Sequence, residues 1–425
     1  MDFRQSLDYL YGLQRFGIKL GLDNIRSLLD RLGQPAAGLP ILHVAGTNGK
    51  GSTAAAAASI LQRSGRSTGL YTSPHLHSFT ERIQINRQPI PETRVATLTA
   101  ELREAGTGLP LTFFEFTTAL ALLYFQRQAV DAVVLEVGMG GRLDATNVVT
   151  PAVSVITPIC LDHAEHLGSS LAAIAAEKAG IVKPGTPVVI GAQPPEALEV
   201  LLARCGQSGA PAVLWQRDFQ CTSHAEGFDF QGLGLQLPNL QPGLPGRHQH
   251  HNLAVAIAAC SLFCAGNRPL QEQAIREGVQ AVRWPGRLEW WGGRQRILLD
   301  GAHNEGGARV LADYLMDLRP GAVRWVVGMK GPRRAADLLA PLLPLVTHLY
   351  CTAPRVPEAV APIELAELAR AAGKPAEVLV SPAAALSAAL ADSDAGDLVL
   401  VAGSLFLVAE AREYLMTQET YRAEH

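Results

Sequence analysis

The feature that most constrains the fold of this chain is a glycine-rich turn between an apolar segment and an alanine-rich segment. Residues 39–45 are apolar, the turn covers residues 46–51, and residues 52–64 form the alanine-rich segment, which Gly65 ends. The apolar segment predicts a buried strand, and the alanine-rich segment predicts a helix. A strand, a tight turn and a helix direct several backbone N–H groups and the positive end of a helix dipole to one point. This arrangement favours the binding of a polyphosphate.

The turn departs from the general nucleotide-binding pattern G-x-x-x-x-G-K-[ST] at two positions. Val44 stands where the pattern has its first glycine, and Gly51 separates Lys50 from Ser52. Lys50 would supply a mobile positive charge, and Ser52 or Thr53 is a candidate ligand for Mg²⁺. The residues alone leave a second interpretation open, a helix N-terminus whose glycines serve only the geometry of the turn.

Length and charge limit the classes of protein and partner. The 425 residues exceed what one compact core supports, so two domains are expected. A formal net charge of −3 gives no basic surface for nucleic acid. No apolar run is long enough to cross a bilayer, and no signal-peptide pattern is present. We therefore expect a cytoplasmic protein that acts on small molecules and has neither nucleic acid nor membrane as a partner.

Apolar runs that alternate with helical patterns predict an α/β fold with a mostly parallel sheet. In the first part, strands are expected at residues 39–45, 67–72, 131–137, 152–157, 186–191 and 211–215. A helical pattern stops at Pro285-Gly286, and the alternation restarts beyond it, with strands expected at residues 295–300, 323–328, 347–352, 376–380 and 397–402. We therefore predict a P-loop domain over residues 1–284 and a smaller Rossmann-like α/β domain over residues 285–425.

Polar residues follow several of these strands at the edge where open α/β sheets bind ligands. Ser73, Glu136 and His163 each follow a different strand of the first domain. A buried carboxylate needs a cation, so Glu136 together with its neighbours predicts a magnesium site. The alternative partner for Glu136 is a guanidinium such as that of Arg142.

A second polar group lies at the start of the second domain. Arg287 follows the Pro-Gly turn, and Asp300 ends the first apolar strand beyond it. A composite site would use Arg287 on a phosphate and Asp300 on a ribose or a second cationic group. Arg287 is open to the alternative interpretation of a plain surface charge.

Taken together and in order, these motifs carry a family resemblance. The chain resembles the folylpolyglutamate synthase and dihydrofolate synthase family, the folate branch of the Mur ligase superfamily. The motifs are residues 43–53, 71–76, 79–83, 135–147, 161–168, 177–181, 251–254, 285–287, 300–304 and 403–405. The two departures in the glycine-rich turn are themselves the form that this family shows.

The resemblance implies roles for the matching residues. The positions that match the family's ATP site are Thr47, Asn48, Gly49, Lys50, Gly51, Ser52, Asn252, Arg287 and Asp300. The positions that match its ligands for Mg²⁺, with two ions expected, are Ser52, Ser73, Glu136 and His163. The positions that match its folate and glutamate sites are Gly17, Ile18, Lys19, Arg82, Thr112, Leu143, Asp144, Ala145 and Ser404. Catalytic roles fall to Lys50, Lys178 and His303, with Lys178 matching a lysine that is carbamylated in the family.

The implied reaction is the ATP-dependent addition of L-glutamate to a folate carboxylate through an acyl phosphate. Residues 141–145 resemble the form found in enzymes that accept dihydropteroate, so we expect both dihydrofolate synthesis and tail extension on reduced folates. Lys19 stands where some relatives with both activities carry an acidic residue, and tail extension alone is the alternative. A monomer is the default expectation.

Two further functions compete with this one. Another Mur ligase would share ATP, Mg²⁺ and the acyl phosphate, but only about 40 residues precede the glycine-rich turn, fewer than a UDP-sugar module needs. A nucleotide-binding regulatory protein without ligase turnover is the alternative from another class.

Residues 328–334 lack the acidic and lysine cluster that relatives carry there, which leaves open whether Lys330 or Arg333 substitutes for it.

Overall fold

A computed structural model describes residues 1–16, 21–162, 164–266, 268–331 and 335–424 of the chain. The chain divides into two compact units. The first unit comprises Met1–Gly243 and Gln249–Arg283, and the second comprises Leu244–His248 and Trp284–His425. The assignment of ATP to one unit and of glutamate to the other stays a prediction.

The first unit is built on a mostly parallel sheet, as the alternation of apolar runs predicted. Its strands in chain order are β1 (Ile41–Ala45), β2 (Thr68–Tyr71), β3 (Ile83–Ile85), β4 (Gln88–Pro89), β5 (Ala132–Glu136), β6 (Val153–Ile156), β7 (Val188–Ile190) and β8 (Ala212–Leu214). They lie in the order β4-β3-β2-β5-β1-β6-β7-β8. The pairs from β2 to β8 are parallel, while β3 and β4 add an antiparallel edge. β1 therefore lies inside the sheet, and all five of its residues are buried.

The helices of the first unit follow and precede these strands. They are α1 (Phe3–Gly12), α2 (Asp23–Arg31), α3 (Lys50–Arg63), α4 (Glu92–Ala105), α5 (Phe113–Arg127), α6 (Ala164–Leu167), α7 (Leu171–Lys178), α8 (Pro195–Ser208), α9 (Arg247–Phe263) and α10 (Glu272–Ala281). Strands β9 (Phe219–His224), β10 (Gly227–Gly232) and β11 (Leu235–Leu240) form a separate antiparallel sheet. The alanine-rich run is α3, whose small side chains are buried from Ser52 to Leu61.

The second unit is a smaller α/β layer structure, also as predicted. Its strands are β12 (Glu289–Gly292), β13 (Arg296–Asp300), β14 (Val323–Val327), β15 (His348–Cys351), β16 (Ala376–Val378), β17 (Leu398–Ala402) and β18 (Arg422–Ala423). They lie in the order β16-β15-β14-β17-β13-β12-β18, parallel from β16 to β13 and antiparallel at β12 and β18. The helices are α11 (Glu305–Leu318), α12 (Ala335–Leu342), α13 (Pro362–Ala371), α14 (Pro382–Ala391) and α15 (Leu405–Met416).

Within the described ranges, no helix combines the length and the apolar character that crossing a lipid bilayer requires.

Helices α3 and α10 pack at a glycine. A Cβ atom at Gly278 would lie 2.6 Å from Cα and 2.8 Å from N of Ile60, so the two helix backbones are in direct contact. The hydroxyl of Ser59 donates to the carbonyl of Gly278 across the same contact at 2.8 Å. The C-terminal half of α3 is therefore held against α10 by a close backbone contact that leaves no room for a side chain at position 278.

The Gly278→Ala variant should lower the free energy of unfolding by about 1–3 kcal/mol, because the added methyl group must push two backbones apart. The matched control is Gly206→Ala in α8, where an added Cβ has nothing within 4 Å. That variant should be neutral or stabilising by up to about 1 kcal/mol, because alanine has the higher helix propensity. Thermal unfolding of both variants checks this, and an unchanged melting temperature for Gly278→Ala would contradict it.

Candidate active site

The glycine-rich turn forms a tight loop between β1 and α3. Gly49 caps α3 in the left-handed conformation, with φ of 84°, which disfavours residues that carry a Cβ. Gly46 lies against the end of β6, where an added Cβ would fall 1.8 Å from Oγ1 of Thr157. The N–H groups in the first turn of α3 have no acceptor inside the helix, so this helix terminus suits an anion.

The segment after β6 forms hydrogen bonds with the glycine-rich loop, a contact that sequence patterns did not reveal. The N–H groups of Thr47 and Asn48 both donate to the carbonyl of Pro158, at 3.0 and 3.2 Å. The hydroxyl of Thr47 donates to the carbonyl of Cys160 at 3.1 Å and accepts from its N–H at 3.2 Å. Two of the predicted phosphate-binding residues therefore use backbone groups to shape the loop, and the N–H groups of residues 49–52 are the better candidates for phosphate.

Two lysines lie at the loop. Nζ of Lys50 donates to the carbonyl of Thr47 at 3.1 Å, and Nζ of Lys178 donates to the carbonyl of Gly46 at 2.8 Å. Lys178 is only 4% exposed. Burial, reinforced by the positive charge of Lys50, lowers the pKa of Lys178 to about 7. A substantial fraction of the Lys178 amine is therefore neutral at physiological pH, which is the reactive form of a lysine.

Two of the predicted magnesium ligands, Ser73 and Glu136, are in contact at neighbouring strand ends. The N–H group of Ser73, beyond β2, donates to Oε2 of Glu136 at the end of β5, at 3.2 Å. Ser52 lies in the first turn of α3, the helix that follows β1, and β1 is the neighbour of β5 in the sheet. Glu136 is 4% exposed. The alternative partner, Arg142, instead forms an ion pair with Glu177 at 2.7 Å.

The donor set fits a nucleotide-bound Mg²⁺ ion. His163, the fourth predicted ligand, lies outside the described residues. In the part of the chain that the structure describes, no three His, Cys, Asp or Glu side chains gather as a self-sufficient metal cage. Mg²⁺ is commonly held by one or two carboxylates together with substrate phosphates and water. The carboxylate of Glu136 and the hydroxyl groups of Ser52 and Ser73 are consistent with that mode of coordination. The assignment of these ligands stays a prediction.

Asn252 reaches the loop from α9. A Cβ at Gly49 would lie 2.5 Å from Oδ1 of Asn252, so the amide lies directly over the loop. Its Nδ2 group donates to Oε1 of the buried Gln249 at 2.9 Å, which orients the amide. The predicted contact of Asn252 with a nucleotide is therefore compatible with its place beside the helix terminus.

Arg82 lies among aromatic side chains on the β2 side of the sheet. Its Nε group donates to Nδ1 of His75 at 2.7 Å, and its guanidinium carbon lies 5.2 Å from the centre of the Phe113 ring. Arg82 is 8% exposed, and burial lowers its pKa. Burial also lowers the pKa of His75 to about 4, so a neutral imidazole accepts the hydrogen bond. A buried guanidinium against an aromatic ring suits a planar ligand that carries a carboxylate.

Other predicted folate-site residues mainly shape the backbone. Thr112 caps α5 and its hydroxyl accepts from the N–H of Glu115 at 3.2 Å. Oδ2 of Asp144 accepts from the N–H of Met139 at 2.9 Å, and its Oδ1 accepts from the N–H of Thr146 at 3.0 Å. The remaining predicted residues of this loop are half-buried Leu143 and buried Ala145. Gly17, Ile18 and Lys19 lie outside the described residues.

In the second unit, Asp300 organises the turn that carries Arg287. The carboxylate accepts from the N–H of Leu288 at 2.9 Å and from that of Ala302 at 2.8 Å. Burial raises the pKa of Asp300, while the guanidinium of Arg287 opposes that rise. The Arg287 side chain passes over Gly301, where an added Cβ would fall 1.9 Å from its Nη1 atom. Arg287 is thus a held side chain rather than a plain surface charge.

His303 and Ser404 lie at the same strand edge of the second unit. Nδ1 of His303 lies 2.8 Å from the carbonyl of Gly301, and because a carbonyl can only accept, Nδ1 carries a proton. Ser404 follows β17 and caps α15, with its hydroxyl accepting from the N–H of Phe406 at 3.1 Å. Nζ of Lys330 lies 5.0 Å from the centre of the Phe406 ring. Arg333, the other candidate substitute for the missing cluster, lies outside the described residues.

Models of known protein families match both parts of the chain. The model for the Mur ligase middle domain matches residues 44–260, and the model described as Mur ligase, glutamate ligase domain, matches residues 286–405. The chain is 35% identical to the folylpolyglutamate synthase of Lacticaseibacillus casei, over 98% of this chain and 99% of that protein. It is 36% identical to the dihydrofolate synthase/folylpolyglutamate synthase of Escherichia coli K12, over 96% of this chain and 94% of that protein.

Solved structures give the same result for the fold. A structure of Escherichia coli FolC in complex with DHPP and ADP superimposes with a TM-score of 0.91, at 34% identity and over 98% of both chains. A bifunctional folylpolyglutamate synthase/dihydrofolate synthase from Yersinia pestis CO92, complexed with AMPPNP and a Mn ion, gives a TM-score of 0.89 at 35% identity over 98% of both chains.

The Gly301→Ala variant tests whether Arg287 binds nucleotide. The added methyl group would fall 1.9 Å from Nη1 of Arg287 and 2.5 Å from Cδ2 of Leu405, so both side chains must move. If Arg287 binds the nucleotide, ADP affinity should fall by about ten- to a hundredfold, the value of a charged hydrogen bond. The control is Gly396→Ala in the same unit, where a Cβ has nothing within 4 Å. Calorimetric titration with ADP measures both, and equal affinities in the two variants would refute the contact.

Proposed function

Because the chain belongs to the folylpolyglutamate synthase/dihydrofolate synthase family of Mur ligases, which join L-glutamate to folates with ATP, we propose that it performs both reactions of that family. It adds glutamate to dihydropteroate to give dihydrofolate, and it extends the γ-linked glutamate tail of reduced folates. The observation that carries this proposal is the buried Arg82 guanidinium against Phe113. Arg82 directly precedes β3 of the same sheet whose β1 leads into the phosphate loop.

The acceptor site follows from the chemistry of these groups. The aromatic side chains of Phe113 and Tyr11, whose ring centres lie 5.9 Å apart, offer apolar surface for the flat part of a folate. The positive charge of Arg82 attracts the carboxylate that is to be activated. Residues 141–145 have the form that resembles enzymes accepting dihydropteroate, and Leu143, Asp144 and Ala145 are proposed to form another wall of the site. The Escherichia coli relative was solved with DHPP and ADP, which supports an acceptor beside the nucleotide in this chain too.

Activation of the acceptor requires a phosphoryl group. The carboxylate oxygen attacks the γ-phosphorus of ATP, the bond to the β–γ bridging oxygen breaks, and ADP and an acyl phosphate form. The N–H groups at the start of α3 and the charge of Lys50 stabilise the negative charge on the transferring group. Ser52, Ser73 and Glu136, with His163, would hold Mg²⁺, which supplies charge neutralisation at the phosphates.

Amide formation follows on the acyl carbon. The amine of L-glutamate attacks the acyl carbon and the new C–N bond forms. The bond from that carbon to the bridging oxygen breaks, and inorganic phosphate leaves with this oxygen. The amine must first lose a proton. The family resemblance makes His303 the candidate group that accepts this proton, and its ring is oriented by the contact of Nδ1 with the Gly301 carbonyl. The Ser404 hydroxyl is proposed to bind the incoming glutamate.

Lys178 is proposed to carry a carbamate. A neutral lysine amine attacks CO₂, a C–N bond forms, and one proton is released, so the position changes from neutral to anionic. Starting from the ammonium form, two protons are released in all. The lowered pKa of Lys178 supplies the neutral amine that this reaction needs. The resulting oxygens would replace a buried positive charge with a group that supports the metal site.

The finer points of the proposal concern compartment and assembly. The six cysteines carry free thiols, which supports a reducing compartment, and we place the enzyme in the cytoplasm as a monomer. Tail extension without the dihydropteroate reaction is the second candidate, favoured by the family difference at Lys19.

The deciding assay offers purified protein, ATP and Mg²⁺ with radiolabelled glutamate and either dihydropteroate or a reduced folate. Label should enter both acceptors. Label in the reduced folate alone would select the tail-extension alternative, and label in neither would refute the folate function.

The control for this assay is Glu136→Gln, which keeps the size of the side chain and removes its charge. It should lose turnover with both acceptors, because the only carboxylate in the described magnesium ligand set is gone. Its melting temperature without nucleotide should stay close to wild type. Near-normal turnover of this variant would contradict the metal role of Glu136.

Protein equilibrated with ¹³C-bicarbonate should show a carbamate resonance in its ¹³C spectrum, growing as pH rises through the Lys178 pKa of about 7. The sign follows because only the neutral amine reacts, and its fraction increases with pH. The resonance should vanish in Lys178→Met and persist in Lys183→Met, whose lysine is also partly buried with a lowered pKa. A carbamate resonance that survives Lys178→Met would assign the modification elsewhere.

A further inference from the structure

A buried histidine on β1 belongs to none of the roles assigned above. His43 has no exposed surface, and its Nε2 atom lies 2.8 Å from Oγ1 of Thr146. The hydroxyl of Thr146 donates in turn to Oδ1 of Asp144. Thr146 is also fully buried, and Asp144 is 7% exposed. These three side chains form a line of hydrogen bonds from the central strand into the loop at residues 138–147.

The direction of these hydrogen bonds fixes the state of the imidazole. The only hydroxyl proton of Thr146 goes to Asp144, so its oxygen accepts from His43, which must carry the proton on Nε2. Nδ1 of His43 is buried and has no hydrogen-bond partner among the described residues. Burial lowers the pKa of His43 to about 3, which keeps the ring neutral. His43 is therefore a fixed donor and not a proton carrier.

The same loop is held on its other side by α7. The N–H of Arg142 donates to the carbonyl of Glu177 at 2.8 Å, and the two side chains form an ion pair at 2.7 Å. The next residue, Lys178, donates to the carbonyl of Gly46 in the phosphate loop. A closed circuit of contacts therefore runs from the phosphate loop through α7 to the loop at residues 138–147, and back through His43 to β1.

A purely structural account does not explain why a histidine stands at this place. Every other residue of β1 is aliphatic, and a buried polar group without its full set of partners costs about 1–3 kcal/mol. An aliphatic residue at position 43 would avoid the orphaned Nδ1 atom. The energy lost there is offset by the hydrogen bond to Thr146, whose effect falls on the geometry of the loop at residues 138–147.

We propose that His43 is a positioning residue that acts through Thr146 and Asp144 to fix the loop at residues 138–147 relative to the phosphate loop. This sets the distance between the acceptor carboxylate and the γ-phosphoryl group of ATP. The inference rests on the proposed function, because it takes residues 143–145 as a wall of the acceptor site. It adds His43 and Thr146 to the residues that determine how the acceptor is presented.

The first test is Thr146→Val, which keeps the shape of the side chain and removes the bridging hydroxyl. The value of kcat/KM for the acceptor should fall about 10- to 100-fold, as expected for a displacement of up to about 1 Å at the reacting atoms. The KM for ATP and the affinity for ADP should stay within about twofold, because the phosphate loop keeps its own anchors. Thr146→Ser, which retains the hydroxyl, should restore most of the acceptor efficiency.

The matched control is Thr68→Val at the start of β2. Thr68 is 2% exposed, and its hydroxyl donates to the carbonyl of Arg66 at 3.1 Å. Both valine variants lose a buried threonine hydrogen bond and should lose similar stability, but only Thr146→Val should lose acceptor efficiency. Equal acceptor kinetics in the two variants would overturn the inference, as would a parallel loss of ATP affinity in Thr146→Val.

A spectroscopic test addresses His43 itself. In ¹⁵N-histidine-labelled protein, the resonance that disappears in His43→Gln should show a neutral ring protonated on Nε2 at pH 7, and Thr146→Val should shift it. A His43 ring that is protonated on Nδ1 or positively charged would contradict the proposed line of hydrogen bonds from His43 through Thr146 to Asp144, which is called the relay below. If wild type labels neither acceptor, the proposed function fails, and the NMR result alone then decides the relay; if wild type is active, the kinetic comparison decides it separately.

Discussion

The site in the first unit depends on a buried lysine side chain that contacts the phosphate loop. Lys178 donates to the carbonyl of Gly46, and burial brings its pKa to about 7. Lys178 is the last residue of α7, so its contact with Gly46 connects the phosphate loop to that helix. The residue before it, Glu177, forms an ion pair with Arg142. The charge state of Lys178 therefore affects the electrostatics of the phosphate loop, and Lys178 belongs to α7, the helix that contacts the loop at residues 138–147.

The recurring device in both units is a polar side chain that holds a backbone turn. Asp300 binds two N–H groups and so fixes the turn that bears Arg287, while Asp144 does the same for the loop at residues 138–147. These carboxylates are buried, and burial raises their pKa values. Their hydrogen bonds to backbone groups compensate for the loss of water. Arg287 therefore projects from a turn whose backbone is fixed by Asp300.

The parallel strands of both units were predictable because they are buried on both faces and read as continuous apolar runs. The antiparallel additions β3, β4, β12 and β18 were not found. They are short, and β4 (Gln88–Pro89) has two exposed residues, so no apolar pattern marks them. Such strands form because an existing sheet edge offers unpaired N–H and C=O groups, and that edge exists only after the chain has folded.

The sequence by itself determined which chemical groups this protein has: a strand–turn–helix for phosphate, carboxylates at strand ends, and two lysines and an arginine for anions. Only the tertiary structure decided how each group is used. It assigned the N–H groups of Thr47 and Asn48 to the carbonyl of Pro158, and it joined His43 to Thr146. The physical reason is distance along the chain, since His43 and Thr146 are 103 residues apart and Lys178 and Gly46 are 132 apart. Local patterns report propensity, whereas such hydrogen bonds arise only when distant segments pack together.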